Sequence, residues 1–323
     1  MNTELKNAVL ATDLKAQYDA CAKKLLGYKD ILAQILIGAV EEFQRMSPEE
    51  VKTLIEDDIH IGKIPVDPGL TNAVVRVDED GKEIIGMNTV TEEVNAGYIL
   101  FDIIFYVRLK AGRSKIIINV EAQRKEPAEY DILNRAVFYA SREISSQKNR
   151  EFVNSNYNDI KKVYSIWICM NMSENSMNHI HLINDTIIGN QVWKGKEDLV
   201  NIVMIGLAKE ISPKEEKHEL HRLLGALLSE TLNEEEKLDI LKNEYHIPME
   251  KSIKEDVKVM CNLSEGIEER GIIKGREEGR TELLKQQVRK KLAKGQCVKV
   301  IAEDLVEEVE VIQTIVDEIQ TKE

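Results

Sequence analysis

Tyr98-Ile-Leu-Phe-Asp-Ile-Ile-Phe-Tyr-Val-Arg108, then Lys110-Ala-Gly-Arg-Ser114, then Lys115-Ile-Ile-Ile-Asn-Val-Glu-Ala-Gln123 is the stretch that decides the fold. Branched and aromatic residues dominate both flanks, and the Gly-containing turn between them predicts an antiparallel hairpin. Asp102 sits inside the first apolar run, where a carboxylate is costly unless paired, hydrogen-bonded or bound to a metal. On the second strand Asn119, Glu121 and Gln123 alternate with Val120 and Ala122. That alternation puts Glu121 and Gln123 on one face, with Gln123 at the strand's end. If the strands pair through the short turn, Asp102 and Glu121 can approach one another.

Downstream, the spacing of Ile132, Leu133, Ala136, Val137, Ala140 and Ile144 predicts a helix over roughly 130–146, with these residues on one side. Val163-Tyr-Ser-Ile-Trp-Ile-Cys-Met170 reads as a third strand, apolar enough to be buried on both faces. Leu199-Val-Asn-Ile-Val-Met-Ile-Gly206 reads as a fourth. Upstream, Ile31, Leu32, Ile35, Leu36, Ala39, Val40 and Phe43 recur at helical spacing from Tyr28 to Met46. Ser47-Pro48-Glu49-Glu50 then supplies an N-cap, a first-turn Pro and an acidic start for another helix. Residues 60–97 hold Pro65, Pro68 and several glycines, which predicts loops and short hairpins.

After Lys209 the composition shifts to helix formers. Glycines stand at 266, 271, 275 and 279; four-residue spacing of the kind from Gly271 onward can line a close helix–helix contact but weakens a helix by about 1 kcal/mol per glycine. The apolar pattern from Leu292 to Ile315 predicts two short helices packed across a turn. The organisation expected is a helical lead-in at 1–26, an α/β core at 27–208, a helical segment at 209–262, and a charged, glycine-spaced helix with a small helical pair at 263–323.

The 323 residues are 43% hydrophobic and 31% charged, which excludes general disorder. The longest apolar runs, such as Ile31–Val40 and Ile99–Val107, fall short of the roughly 20 residues that span a bilayer, so no membrane partner is expected. No basic start precedes a compact apolar segment, so no secretion signal is read. Cys21, Cys169, Cys261 and Cys297 lie far apart, which argues against a disulfide framework or zinc knuckle and fits a reducing cytoplasm. The net charge is -13, yet residues 110–162 carry 11 basic against 7 acidic side chains. Arg124, Lys125, Arg142, Lys148, Arg150, Lys161 and Lys162 lie there. Clustered at a cleft they would oppose repulsion between an acidic protein and DNA; scattered, they are a solvated surface.

Two carboxylates converging on a sheet edge make a hard-oxygen site suited to Mg²⁺ or Mn²⁺, with waters completing the octahedron. A bound Mg²⁺ can lower the pKa of a coordinated water and neutralise charge on a phosphodiester. Gln123 can orient that water but cannot act as a base. The plainer reading is a solvent-facing Asp102 and a surface Glu121. Arg135 and Tyr139, four residues apart, share a helix face. They either hold a phosphate and pack on a sugar or base, or Arg135 partners a core carboxylate. His179-Ile-His181 and His218-x-x-His221 have ligand-like spacing without a third ligand and read as surface histidines. No phosphate-binding glycine motif occurs.

Phe101-Asp-Ile-Ile-Phe-Tyr and Ile117-Ile-Asn-Val-Glu-Ala-Gln123 together resemble the core of the PD-(D/E)XK nuclease superfamily, in particular its transposases, relatives of the recombination-promoting nucleases. The resemblance continues through Asn134–Ser145, Ile160–Met170 and Cys261–Arg270 and covers most of residues 28–280. It implies a restriction-endonuclease-like mixed sheet flanked by helices, with a helical C-terminal extension here, and Mg²⁺- or Mn²⁺-dependent cleavage of DNA by a metal-activated water. Asp102 and Glu121 match the metal-binding carboxylates, and Gln123 takes the place of the usual Lys. The superfamily often adds an acidic residue from the first core helix; Glu41 and Glu42 are both available, and Glu42 is the choice. Arg135, Tyr139, Arg124 and Lys125 are the DNA-contact candidates. The competing function is a nuclease fold retained as a DNA- or protein-binding module, which the Gln123 departure favours. The C-terminal helical pair carries Glu303, Asp304, Glu307, Glu308 and Glu310 outward, which suits self-association better than DNA reading.

Overall fold

The computed structural model describes residues 3–57, 59–61, 73–77, 83–87, 90–93, 97–100, 102–109, 115–123, 129–148, 150–152, 154–214 and 219–320. They fall into two compact units. One is residues 15–264; the other joins 1–14 to 265–323.

In the larger unit the chain runs through α1 (Thr3–Leu26), whose second half belongs here, then α2 (Lys29–Ala39) and α3 (Pro48–Leu54). The expected helix from Tyr28 to Met46 ends early. Val40 is extended (φ -122°, ψ 118°), and Glu41–Phe43 form a separate 3₁₀ turn. Val40 is fully buried there, and a β-branched residue is at ease in an extended backbone. The start of α3 follows the sequence reading. Ser47 Oγ accepts from Glu50 N–H while Ser47 N–H donates to Glu50 Oε2, satisfying two otherwise orphan donors.

Next come β1 (His60–Ile61), β2 (Ala73–Val77), β3 (Glu83–Met87), β4 (Val90–Glu93) and β5 (Gly97–Leu100). Strands β2 with β3, and β4 with β5, pair antiparallel as two small ribbons. The run expected as one strand from Tyr98 to Arg108 is divided: β5 ends at Leu100, and β6 is Ile103–Arg108. Asp102 therefore stands at the head of β6 rather than inside a strand. β7 (Lys115–Gln123), α4 (Ile132–Ser145), β8 (Lys162–Met172), β9 (Ser176–His181) and β10 (Val200–Ala208) follow.

The main sheet has the order β1-β6-β7-β8-β10-β9. The β6–β7 hairpin is antiparallel, β7–β8 and β8–β10 are parallel, and β9 closes the edge antiparallel to β10. Two parallel neighbours need a crossover, and α4 provides the one between β7 and β8. Val163 to Met170 are all buried, as expected for a central strand covered on both faces. On one face Ile132, Ala136, Tyr139 and Ala140 of α4 pack on Trp167, Cys169 and Ile202. Leu133 and Val137, expected on that side, are instead exposed. The helix turns its aromatic Tyr139 inward in their stead.

Helices α5 (Glu219–Leu228) and α6 (Glu234–Asp239) lead to a π-helical turn and then α7 (Lys251–Leu292). Lys237 is fully buried, yet its ammonium donates to the carbonyls of Leu227 (3.2 Å) and Ser229 (2.6 Å), so it caps the end of α5. The second half of α1 is held by Asp256. That carboxylate accepts from Lys24 Nζ (2.7 Å) and Tyr28 Oη (2.6 Å), and its carbonyl accepts from Cys21 Sγ. Tyr18, Ala22, Leu25 and Leu26 are buried alongside, and Tyr18 Oη donates to Leu228 O. A helix so anchored delivers its remaining side chains at fixed positions.

The smaller unit takes in the rest of α7 with α8 (Val298–Leu305) and α9 (Val309–Gln320). Val288, Ile301, Ala302, Ile312, Ile315 and Val316 form its core, matching the expected helical pair. Val306, at φ 55°, ends α8 in the left-handed region. Gly275 and Gly279 have open space where a side chain would be, so at these two positions the glycine spacing lines no close contact.

Candidate metal and phosphate site

Pairing of β6 with β7 runs to Ile103 opposite Val120, so Asp102 and Glu121 are the next positions out. There the backbone turns. The Asp102 N–H donates to Glu121 Oε1 at 3.1 Å, and the Ala122 N–H donates to Asp102 Oδ2 at 2.9 Å. Both residues are buried. Hydrogen bonds to backbone N–H and a nearby cation are what make a buried carboxylate tolerable. The cation is Lys23 of α1, whose Nζ lies 2.5 Å from Asp102 Oδ1.

Glu121 is in register with Trp167 and shares its face of the sheet, beneath α4. Arg135 and Tyr139 stand over it. The Arg135 guanidinium lies over the rings of Tyr139 (4.8 Å) and Trp167 (5.4 Å), and donates to Tyr139 Oη (2.8 Å) and Tyr130 Oη (3.2 Å). Tyr139 meets Trp167 edge-on at 5.4 Å. Burial by itself pulls Arg135 down, but Tyr139 and then Glu121 hold it above its ordinary value. Burial pushes the Tyr139 phenol up, with Arg135 opposing and Glu121 adding to the shift. Glu121 thus feels a fixed cation on one side, and Asp102 feels another.

The remaining sequence candidates separate. Gln123 ends β7, partly buried and in register with Cys169, on the same face as Glu121. Arg124 and Lys125 lie outside the described residues. Glu42 is not brought to the carboxylate pair. Its Oε1 takes Lys162 Nζ at 2.5 Å and its Oε2 takes Tyr164 Oη at 2.9 Å. Tyr164 is three residues from Trp167 on an unbroken strand, so it points to the opposite face from Glu121. Glu42 is therefore a neutralising partner for Lys162, which also pairs with Asp198. Glu41 lies on the same short turn.

Among the described residues of the basic segment, Lys162 and Arg150 are taken up by carboxylates other than Asp102 and Glu121. Arg150 is buried against Glu143 (3.9 Å) and Glu151 (3.2 Å), and Tyr106 Oη also donates to Glu151. The histidines also divide. His221 is buried and bonds to Ser176 O, against the surface position expected. His179 bonds to Asn201 and stacks on Tyr164, while His218 lies outside the described residues.

Among the described residues no cluster of three or more His, Cys, Asp or Glu side chains is placed to hold a metal. That excludes a closed zinc-type cage there, but not a hard divalent ion. Mg²⁺ keeps several waters and uses one or two carboxylates, and Asp102 with Glu121 is such a donor set. Lys23 already holds a positive charge against Asp102. The residue that sequence reading missed is Lys23. Nothing in the pattern of α1 distinguishes it from Lys24 beside it, which goes to Asp256.

No protein-family model, curated protein or solved structure matches this chain. The protein is mixed α/β, with a mixed parallel and antiparallel sheet. No helix among the described residues is long and apolar enough to cross a membrane.

Proposed function

We propose that this protein is a divalent-metal-dependent DNA endonuclease of the restriction-endonuclease-like, transposase type. The observation that carries the reading is the convergence of Asp102 and Glu121, joined through the Asp102 N–H, at the end of a hairpin whose second strand leads through α4 into a parallel neighbour.

In this reading Asp102 and Glu121 hold Mg²⁺ or Mn²⁺, which when bound supplies an acidified water and neutralises charge on the phosphodiester. The Ala122 N–H fixes the Asp102 carboxylate by occupying Oδ2. Gln123, at the strand's end, offers an amide that orients a water without taking its proton. Arg135, stiffened by two aromatic rings, places a permanent positive charge beside Glu121, where a DNA phosphate would be drawn in. The test is plasmid cleavage with Mg²⁺ or Mn²⁺, comparing wild type with Glu121→Gln. Metal-dependent nicking that disappears in the variant supports the reading; cleavage that survives removes these residues from the mechanism.

A non-enzymatic binding module is the second reading, favoured by the neutral Gln123 and by the Lys23 ammonium already on Asp102. Calorimetry with Mn²⁺ separates the two, since a module of that kind takes up no metal. For the smaller unit we propose self-association. Val300, Val309 and Val311 are exposed on α8 and α9 among acidic residues that disfavour DNA. Light scattering on a chain truncated before Leu263 tests it, and an unchanged mass would exclude that role.

A further inference from the structure

We propose that Lys23 is the movable cation of the site: it neutralises Asp102 until a divalent ion takes that place, and then presents its ammonium to the DNA phosphate. This rests on the nuclease reading above. Three features carry it. The ammonium is 2.5 Å from Asp102 Oδ1, the oxygen that Ala122 does not occupy. The Lys23 side chain is 30% exposed, against 10% for that of Asp102, so it has room to withdraw while the carboxylate stays. Its helix is anchored on either side by Tyr18 and Lys24, so withdrawal needs side-chain rotation only.

The charges near the site leave a role open for it. Gln123 is neutral, and Arg135 places its charge beside Glu121, which leaves the Asp102 side to Lys23. A lysine is a compact charge on a flexible stem, able to exchange one anionic partner for another. A divalent ion and an ammonium at Oδ1 repel one another, so each weakens the binding of the other. Reciprocity of coupling then makes the metal affinity a direct report on Lys23.

The experiment is Mn²⁺ titration calorimetry on the full chain, wild type against Lys23→Met and Lys23→Arg, with circular dichroism to verify folding. Lys23→Met keeps helix propensity and chain length. It is expected to bind Mn²⁺ about tenfold more tightly, because its internal competitor is gone. Lys23→Arg, whose guanidinium grips a carboxylate with two donors, is expected to bind Mn²⁺ more weakly than wild type. At saturating Mn²⁺, Lys23→Met is expected to cut DNA at least about tenfold more slowly. A merely structural lysine would lower metal affinity and cleavage together; this one moves them in opposite directions. Wild-type uptake of Mn²⁺ with equal or weaker binding by Lys23→Met overturns the proposal alone, as does undiminished cutting at saturating metal. Failure of wild type to take up Mn²⁺ at all overturns the nuclease reading as well.

Discussion

The backbone N–H of Asp102 donates to the carboxylate of Glu121 across the open end of the β6–β7 hairpin. Two acidic side chains from neighbouring strands are thereby held together, with Lys23 and Arg135 supplying positive charge on either side. This arrangement brings two buried carboxylates and two cations into one place.

Asp102→Ala and Glu121→Ala should each abolish metal-dependent DNA cleavage while leaving the fold intact. A metal supplies several kcal/mol of charge stabilisation, so a loss of about a thousandfold or more is expected in plasmid nicking. Far-UV circular dichroism of both variants should match wild type, because the sheet's pairing from Ile103 onward does not use these side chains.

Glu42→Gln should behave differently. It leaves Lys162 with Asp198 alone and weakens the bond to Tyr164, so the protein should lose about 1–2 kcal/mol in urea denaturation. Mn²⁺ affinity should not change, since Glu42 faces away from Glu121. A fall in metal affinity with stability preserved would restore Glu42 to the metal site.

Arg135→Ala should weaken DNA binding with little sequence preference, by about tenfold, and should lower the salt slope by about one ion. Filter binding at several salt concentrations in Ca²⁺ measures both. Arg135→Lys should recover little, because an ammonium cannot stack on Tyr139 and Trp167 while reaching both phenols.

Glu143 gives a pH signature unrelated to catalysis. Burial pushes its carboxyl up to about 7, with Arg150 opposing and Glu151 adding, and among the described residues neither carboxylate oxygen has a hydrogen-bond partner. The folded protein therefore keeps a proton that the unfolded chain releases above its ordinary value near 4.5. The resulting stability is full below that value and is lost as pH rises through about 7. Glu143→Gln should match wild type near pH 4 and exceed it by about 3 kcal/mol at pH 8 in denaturant melts. Equal stability at pH 8 would show that Arg150 compensates the charge fully.

Local pattern carried much of this protein. The β6–β7 hairpin follows from branched residues flanking a turn, α4 from its helical spacing, and β8 and β10 from apolar runs too short for helices. The α3 start was legible as an N-cap, Pro and acidic turn because all of it lies within four residues; the reciprocal Ser47–Glu50 bonds are what the structure adds. β9 was not. Its Ser-Met-Asn-His-Ile-His sequence lies on an exposed edge, where no apolar alternation is required.

The sequence by itself determined the β6–β7 hairpin, β8, β10, the crossover helix and the pair Asp102 and Glu121, because each depends on neighbours a few residues away or on one tight hairpin. Only the tertiary structure decided which charges meet. Lys23 reaches Asp102 while Lys24 turns to Asp256, Glu42 serves Lys162 on the far face, and Arg150 is buried with Glu143. The reason is physical: backbone periodicity is local, whereas the partner of a buried charge is whatever opposite charge the packing of distant elements brings within a few ångströms.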